Sequence, residues 1–353
     1  MKRKQDNSAC YLCEVEVTEG LEHITKDELL QRFGKLVESV ASDRPGELRF
    51  TFSGSLGQLR SLQTIYAAYL VFNFDVPRPR GLLGDAHFRR LLQQIELVRG
   101  LNPNAYQSFS LAAAGSESSV MNRIKSDIAA QTGLTLAADK GDLVIRIRPS
   151  QSGWQTLVRL TARPQVTRSW RVCNWEGALN AATAHAMIRM VDTQVSDVFL
   201  NIGCGSGSLL IERLSYGTAR QVIGIDSDIN ALRCAQDNIG AAGERSIQLL
   251  HGDMTRLPLP SACVDQVVGD LPFGRLSGSH TSNLELYPQV LSEAARVTRA
   301  KGQLTLITHE IRLMDRLLRD SQLWAVEQSI QVNLRGLHPR IYTLRRTMSA
   351  DRP

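Results

Sequence analysis

The sequence predicts an α/β protein, with a doubly wound, mostly parallel sheet in its C-terminal half and a smaller α+β region before it. Three observations carry this. From residue 197 onward, apolar runs at 197–202, 221–225, 247–250, 265–269 and 303–308 alternate with helical patterns at 207–214, 228–239, 285–299 and 311–321. That is the order of a parallel sheet with helical crossovers. The first of these runs, Val198-Phe-Leu-Asn-Ile, breaks into Gly203, Gly205 and Gly207 before a helix begins; such glycines let the backbone approach a ligand closely, and the helix start offers it free N–H groups. Upstream, period-two runs mix with short amphipathic helices, the pattern of half-buried strands covered by helices on one face.

Taken in order, Tyr11–Val17 alternates as a strand, and Val17-Thr-Glu-Gly-Leu-Glu22 leads into a helix ending near Gly34. A hairpin follows through residues 48–52, then a helix over 56–64, a strand over 65–74, a solvated connector at Pro77-Arg-Pro-Arg80 and an amphipathic helix over 85–99. Next come a strand over 106–113, a helix over 117–132 and strands over 143–148 and 155–161. Alternation in the strand 143–148 puts Leu143, Ile145 and Ile147 on one face and Val144, Arg146 and Arg148 on the other, with Arg159, Arg163, Arg168 and Arg171 following. Arginines on an open sheet face suit phosphate contacts, being bidentate and always charged; equally, such a row can be a solvated strand face. Residues 176–193 read as a helix with Leu179, Ala182, Ala186 and Met190 on one stripe, in which His185 is a packing or surface residue rather than a base. Strands over 326–333 and 339–346 close the chain as an antiparallel pair.

Composition is that of a globular protein, and 353 residues allow two or three domains. No apolar stretch reaches membrane-span length, and Met1-Lys-Arg-Lys4 has no apolar run behind it, so a soluble cytoplasmic protein is expected. The six cysteines are scattered, with a single C-x-x-C at Cys10 and Cys13; reduced thiols and no metal site are expected. Residues 1–175 hold 23 Lys and Arg against 17 Asp and Glu, whereas residues 176–353 hold 18 of each. The positive excess thus lies wholly in the first half, as expected of a module that meets a polyanion beside a neutral catalytic module.

The glycine turn narrows the ligand. A dinucleotide fingerprint would need Gly or Ala at position 208, which is Ser208. The G-x-G-x-G form instead resembles the first motif of S-adenosylmethionine (SAM)-dependent methyltransferases with a Rossmann-like fold. Nineteen positions after Gly207, the run 221–225 ends in Asp226, placed to bind ribose hydroxyls with Ser227 beside it; Asp228 is the better helix cap. Asp253, followed by Met254, ends the third core strand and is placed to accept from an adenine amino group.

Asp270-Leu-Pro-Phe273, directly after the fourth core strand, resembles the motif of methyltransferases acting on exocyclic amines of nucleobases. Such an amine is a poor nucleophile because its lone pair is conjugated into the ring. The Asp270 carboxylate and the Leu271 carbonyl can each accept an N–H, Pro272 stiffens the turn, and Phe273 can stack on the base. With Gly274, Arg275 and the Gly-Ser pair at 278–279, the motif looks most like that of the THUMP-containing guanine-N2 methyltransferases of tRNA. Upstream, Val17-Thr-Glu-Gly-Leu-Glu22, the helix 116–133, the strand 143–148 and the run from Leu160 to Arg171 resemble the THUMP RNA-binding domain.

The resemblance implies a ferredoxin-like domain over residues 1–100, a THUMP domain over 101–172 and a SAM-dependent methyltransferase domain over 173–353. It implies tRNA as the partner, and Asn201, Gly203, Gly205, Gly207, Asp226, Ser227, Asp253, Met254 and Asp270 as the cofactor contacts. RNA contacts would fall to Arg146, Arg148, Arg163 and Arg168. The family usually opens its first motif with Asp-Pro, where this chain has Asn201-Ile202; Asn can bond the methionine ammonium but not neutralise it. The same chemistry on ribosomal RNA, N6 methylation of adenine, or an RNA-binding protein with an inactive methyltransferase fold are the alternatives.

Overall fold

Strand alternation builds one sheet from most of the N-terminal half. In the computed structural model, which describes residues 10–272 and 280–347, contacts separate two compact units: residues 10–17 with 25–166, and residues 18–24 with 167–347. The first contains β1 (Tyr11–Val17), most of α1 (Glu22–Phe33), β2 (Val37–Ala41), β3 (Glu47–Phe52), β4 (Ile65–Phe74), α2 (Asp85–Arg99), β5 (Ser108–Ala113), α3 (Ser119–Thr132), β6 (Thr135–Leu136), β7 (Leu143–Ser150) and β8 (Gly153–Arg159). Its eight strands run β2-β3-β1-β4-β8-β7-β5-β6.

The part β2-β3-β1-β4 is antiparallel, in the strand order of a ferredoxin-like sheet. In place of the helix expected over 56–64 there is a short 3₁₀ turn, Leu56–Ser61. The reason is the spacing of its apolar residues: Leu56, Leu59 and Leu62, all buried, recur every three positions, which matches three residues per turn. The two stretches expected to divide at residue 100 share this sheet, because β4 pairs with β8 from Tyr69↔Arg159 to Phe74↔Trp154. The boundary therefore does not separate two compact bodies.

The second unit contains α4 (Ala181–Arg189), β9 (Val198–Ile202), α5 (Ser208–Tyr216), β10 (Gln221–Asp226), α6 (Ile229–Ala242), β11 (Ile247–His251), β12 (Val264–Asp270), α7 (His280–Val297), β13 (Thr298–Thr308), α8 (Ile311–Arg319), β14 (Trp324–Gln331) and β15 (Arg340–Arg346). The seven strands run β11-β10-β9-β12-β13-β15-β14, parallel except for the β15 and β14 pairings. Both faces are covered: Ala184, Leu210 and Ala235 from α4, α5 and α6 pack with Phe199 and Val268, while Val290 and Met314 from α7 and α8 pack with Leu200 and Leu304. Strand order reverses between β9 and β12, so ligands belong at the carboxyl ends of those strands. α4 starts later than the periodicity of 176–193 suggests: Gly177 has φ +75°, and the Asn180 side chain caps the helix by accepting from Thr183 N.

The chain enters this unit twice. Residues 18–24, read from sequence as part of the N-terminal module, pack into the core of the second unit instead. Leu21 and Ile24 join its apolar cluster, Thr18 Oγ1 lies 2.7 Å from Thr183 Oγ1, and Glu19 O accepts from Asn333 N at 3.1 Å. Gly20 is required here, with φ +97°; a Cβ would stand 2.3 Å from the Gln331 carbonyl oxygen.

Candidate active site

Three left-handed glycines shape the turn after β9: Gly203, Gly205 and Gly207 have φ of +59°, +52° and +79°. L side chains rarely adopt this conformation, so the turn exposes backbone where a side chain would otherwise stand. Met254 reaches over it, its Cε 3.0 Å from where a Cβ on Gly203 would lie. Asp226, at the end of β10, locks the turn from the neighbouring strand: Oδ2 accepts from Gly205 N at 2.8 Å and Oδ1 from Asp228 N at 2.9 Å. Asp228 caps α6 by accepting from Asn230 N. Ser227 is exposed, and its carbonyl lies 2.9 Å from His251 Nε2. Asp253 is exposed and accepts from Thr255 N at 2.8 Å, which orders the turn carrying Met254.

Two buried acceptors stand at the carboxyl ends of the adjacent strands β9 and β12. Asn201, 1% exposed, donates its Nδ2 to the Ile202 and Val268 carbonyls, and its Oδ1 has no partner among the described residues. Asp270 Oδ1 is buried and likewise unpartnered. Burial, the one cause of the shift, pushes its carboxyl up to about 8. An unsatisfied buried acceptor is costly, which marks both atoms as awaiting donors. Leu271 N donates to Ile307 O, and the Pro272 carbonyl accepts from Tyr287 Oη at 3.0 Å. Phe273, with residues 274–279, lies outside the described residues.

Sequence reasoning missed the connector before α4. Asn238 of α6 holds it through three bonds and the glycine turn through a fourth: Oδ1 accepts from Val172 N and Cys173 N, and Nδ2 donates to the carbonyls of Cys173 and of Ser206 in the turn. Cys173 and Cys234 are disulfide-bonded, Cα atoms 5.4 Å apart, which corrects the expectation of reduced thiols throughout. Trp175 comes within 3.8 Å of where a Cβ on Gly205 would lie. Lone polar residues in an irregular segment carry no periodic signal, so only the fold brings them to the site.

The arginines expected to meet RNA have different surroundings. Arg146 pairs with Glu16 and lies over the Tyr69 ring, while Arg148 bonds Glu14 at 2.5 Å and Glu47 at 2.8 Å. This strand face is therefore an ion lattice rather than an open arginine row, because Glu14 and Glu16 of β1 and Glu47 of β3 reach its arginines. Arg168 belongs to the second unit and bonds Glu212 at 2.8 Å; that carboxylate is fully buried and also bonds His185 Nδ1. His185 is thus a packing residue. Arg163 is exposed. Among the described residues no cluster of His, Cys, Asp or Glu is placed to hold a metal, and no helix is long and apolar enough to cross a membrane.

Residues 168–340 match the family described as UPF0020, RMKL-like methyltransferase domain. The mouse tRNA (guanine(6)-N(2))-methyltransferase THUMP3 is 31% identical over 186 residues, 49% of this chain; the match spans only 37% of the mouse protein. The tRNA (guanine(6)-N2)-methyltransferase of Methanocaldococcus jannaschii is 23% identical over 94% of this chain and 98% of its own length. TrmN from Thermus thermophilus shares the fold with a TM-score of 0.80 at 22% identity, over 96% of this chain and all of that one. From residue 168 to residue 340, the chain is thus similar to methyltransferase domains of the RMKL-like family.

Proposed function

We propose that the protein transfers a methyl group from S-adenosylmethionine to the exocyclic N2 amine of a guanosine in tRNA. The observation that carries this is the pair of unpartnered buried acceptors, Asn201 Oδ1 and Asp270 Oδ1, at adjacent strand ends beside a left-handed glycine turn. The donor set fits the cofactor. Asn201 Oδ1 is positioned to accept from the methionine ammonium, Gly203, Gly205 and Gly207 leave room for its backbone-hugging chain, and Asp226 and Asp253, with Ser227 and Met254, line the ends of β10 and β11 where ribose and adenine would lie. When bound, S-adenosylmethionine supplies an electrophilic methyl group and leaves as a neutral thioether.

The work of the chain is positioning. Asp270 and the Leu271 carbonyl accept the two N–H bonds of the amine and turn its lone pair toward the methyl, with Pro272 stiffening the turn and Phe273 assigned to stack on the base. The nitrogen lone pair forms the new N–C bond as the C–S bond breaks, and the surplus N–H proton passes to the Asp270 carboxylate. That the relatives act on guanine N2 in tRNA supports the choice of substrate.

We assign tRNA holding to the first unit, as a ferredoxin-like and THUMP pair, on its share of the positive charge. Of the four arginines expected to meet RNA, Arg163 is exposed and can meet a phosphate; Arg146 and Arg148 would first have to exchange carboxylate for phosphate, and Arg168 bonds Glu212 in the second unit. We place the activity in the cytoplasm, where the Cys173–Cys234 bond would be open to reduction; three Asn238 bonds then hold the connector without it. The test is nucleoside mass spectrometry of tRNA incubated with the protein and isotopically labelled S-adenosylmethionine. N2-methylguanosine is expected, and label in N6-methyladenosine or in no nucleoside would overturn the assignment.

A further inference from the structure

We propose that Tyr287 and Asn283 of α7 are positioning residues for methyl transfer, fixing the Asp270–Pro272 turn through the Pro272 carbonyl. The inference rests on Asp270 as the amine acceptor. Among the described residues nothing anchors the buried Asp270 Oδ1, so its aim depends on the backbone of the turn. Leu271 N is tied to Ile307 O at 3.1 Å. Pro272 has no N–H, which leaves its carbonyl as the sole polar backbone handle at that residue. Two donors take it: Tyr287 Oη at 3.0 Å and Asn283 Nδ2 at 3.3 Å.

The proton order in this network is fixed. A carbonyl only accepts, so Tyr287 gives its single proton to Pro272 O. Thr308 Oγ1, 2.6 Å from Tyr287 Oη, must then donate to it, and Thr308 in turn accepts from Glu310 N at 3.0 Å. Tyr287, Asn283 and Thr308 are all fully buried, which shields these donors from solvent. The chain runs from the end of β13 through α7 to the turn, and each member has one orientation. With the Pro272 carbonyl held by α7, the acceptors the turn can offer an amine are the Asp270 carboxylate and the Leu271 carbonyl.

The test compares Y287F, N283A and T308V with wild type and D270A in the full-length protein, measuring kcat, the KM for tRNA, the Kd for S-adenosylmethionine and the thermal midpoint. Y287F and N283A are each expected to lower kcat about 10- to 100-fold, the scale of a misaligned reacting group, with KM and Kd unchanged. T308V, which leaves the Tyr287 donation to Pro272 in place, is expected to lose less. Wild-type kcat in Y287F and N283A beside an inactive D270A would sink the positioning role alone. A kcat loss matched by equal losses in cofactor affinity and thermal midpoint would sink it too, by showing a role in folding. Wild-type turnover of D270A would sink the amine-acceptor reading, and this proposal with it.

Discussion

Burial pushes the Asp270 carboxyl up to about 8, and in the proposed transfer it acts as an acceptor in its carboxylate form. In the free enzyme kcat/KM should therefore rise with pH through about 8. An amine donating to the carboxylate favours the ionised form, so the kcat profile should bend at lower pH than that of kcat/KM. A kcat/KM that is flat from about pH 6.5 to 9 would remove Asp270 from the reaction. Stability moves the other way. The folded-state carboxyl sits above its unfolded value of about 3.9, so its contribution is complete below that value and is lost as pH rises toward about 8. Asp270→Asn should accordingly raise the thermal midpoint relative to wild type most at pH 8 to 9, roughly the range where the native carboxylate is forced to ionise.

The arginines divide at this scale as well. Arg148→Gln should lower stability by up to about 3 kcal/mol, since Glu14, 1% exposed, would keep Arg49 as its one ion-pair partner among the described residues. Arg163→Gln should leave the thermal midpoint alone while weakening tRNA binding and reducing its salt slope by about one. Equal midpoints for the two variants, or a salt slope that Arg163→Gln does not move, would contradict this division.

Among the elements, the turn between β9 and α5 depends on its glycines. At Gly207, φ is +79° and a Cβ would stand 3.3 Å from Ala235 Cβ. Gly207→Ala should thus cost about 1–2 kcal/mol in backbone strain alone and lower cofactor affinity, because the turn must shift to relieve it. Gly217 is the control: its φ of 173° is extended backbone and no atom lies within 4 Å of its Cβ position. Calorimetric titration of both variants checks the comparison, and equal affinities would mean the turn does not shape the cofactor site.

For the molecule as a whole, the second unit does not begin with the family match at residue 168. Residues 18–24 complete its core, so a fragment starting near residue 172 would leave uncovered the surface that Leu21 and Ile24 fill. Leu21, 1% exposed, is a core residue of that unit, and Leu21→Ala should destabilise it by about 2–5 kcal/mol. The check is hydrogen exchange of β9 and β10 amides, which should accelerate in the variant; exchange that changes only in β1 and β4 would place Leu21 in the first unit instead.

Period and punctuation alone determined the parallel sheet of the second unit, its glycine turn, the acids ending β10 and β12 and the one just after β11, and the antiparallel final pair. Those features are local: apolar runs, glycines and strand-end acids lie within a few residues of one another. Only the tertiary structure decided what comes from distant parts of the chain. Asn238 reaching Cys173, Tyr287 and Asn283 reaching Pro272, and residues 18–24 joining a core that starts at 167 leave no periodic trace in the sequence. The same holds for the arginine face. Alternation correctly turned Arg146 and Arg148 outward from β7, but whether they faced solvent or carboxylates was set by Glu14, Glu16 and Glu47 on β1 and β3, about 100 or more residues away in sequence, which sheet pairing carries onto the same face.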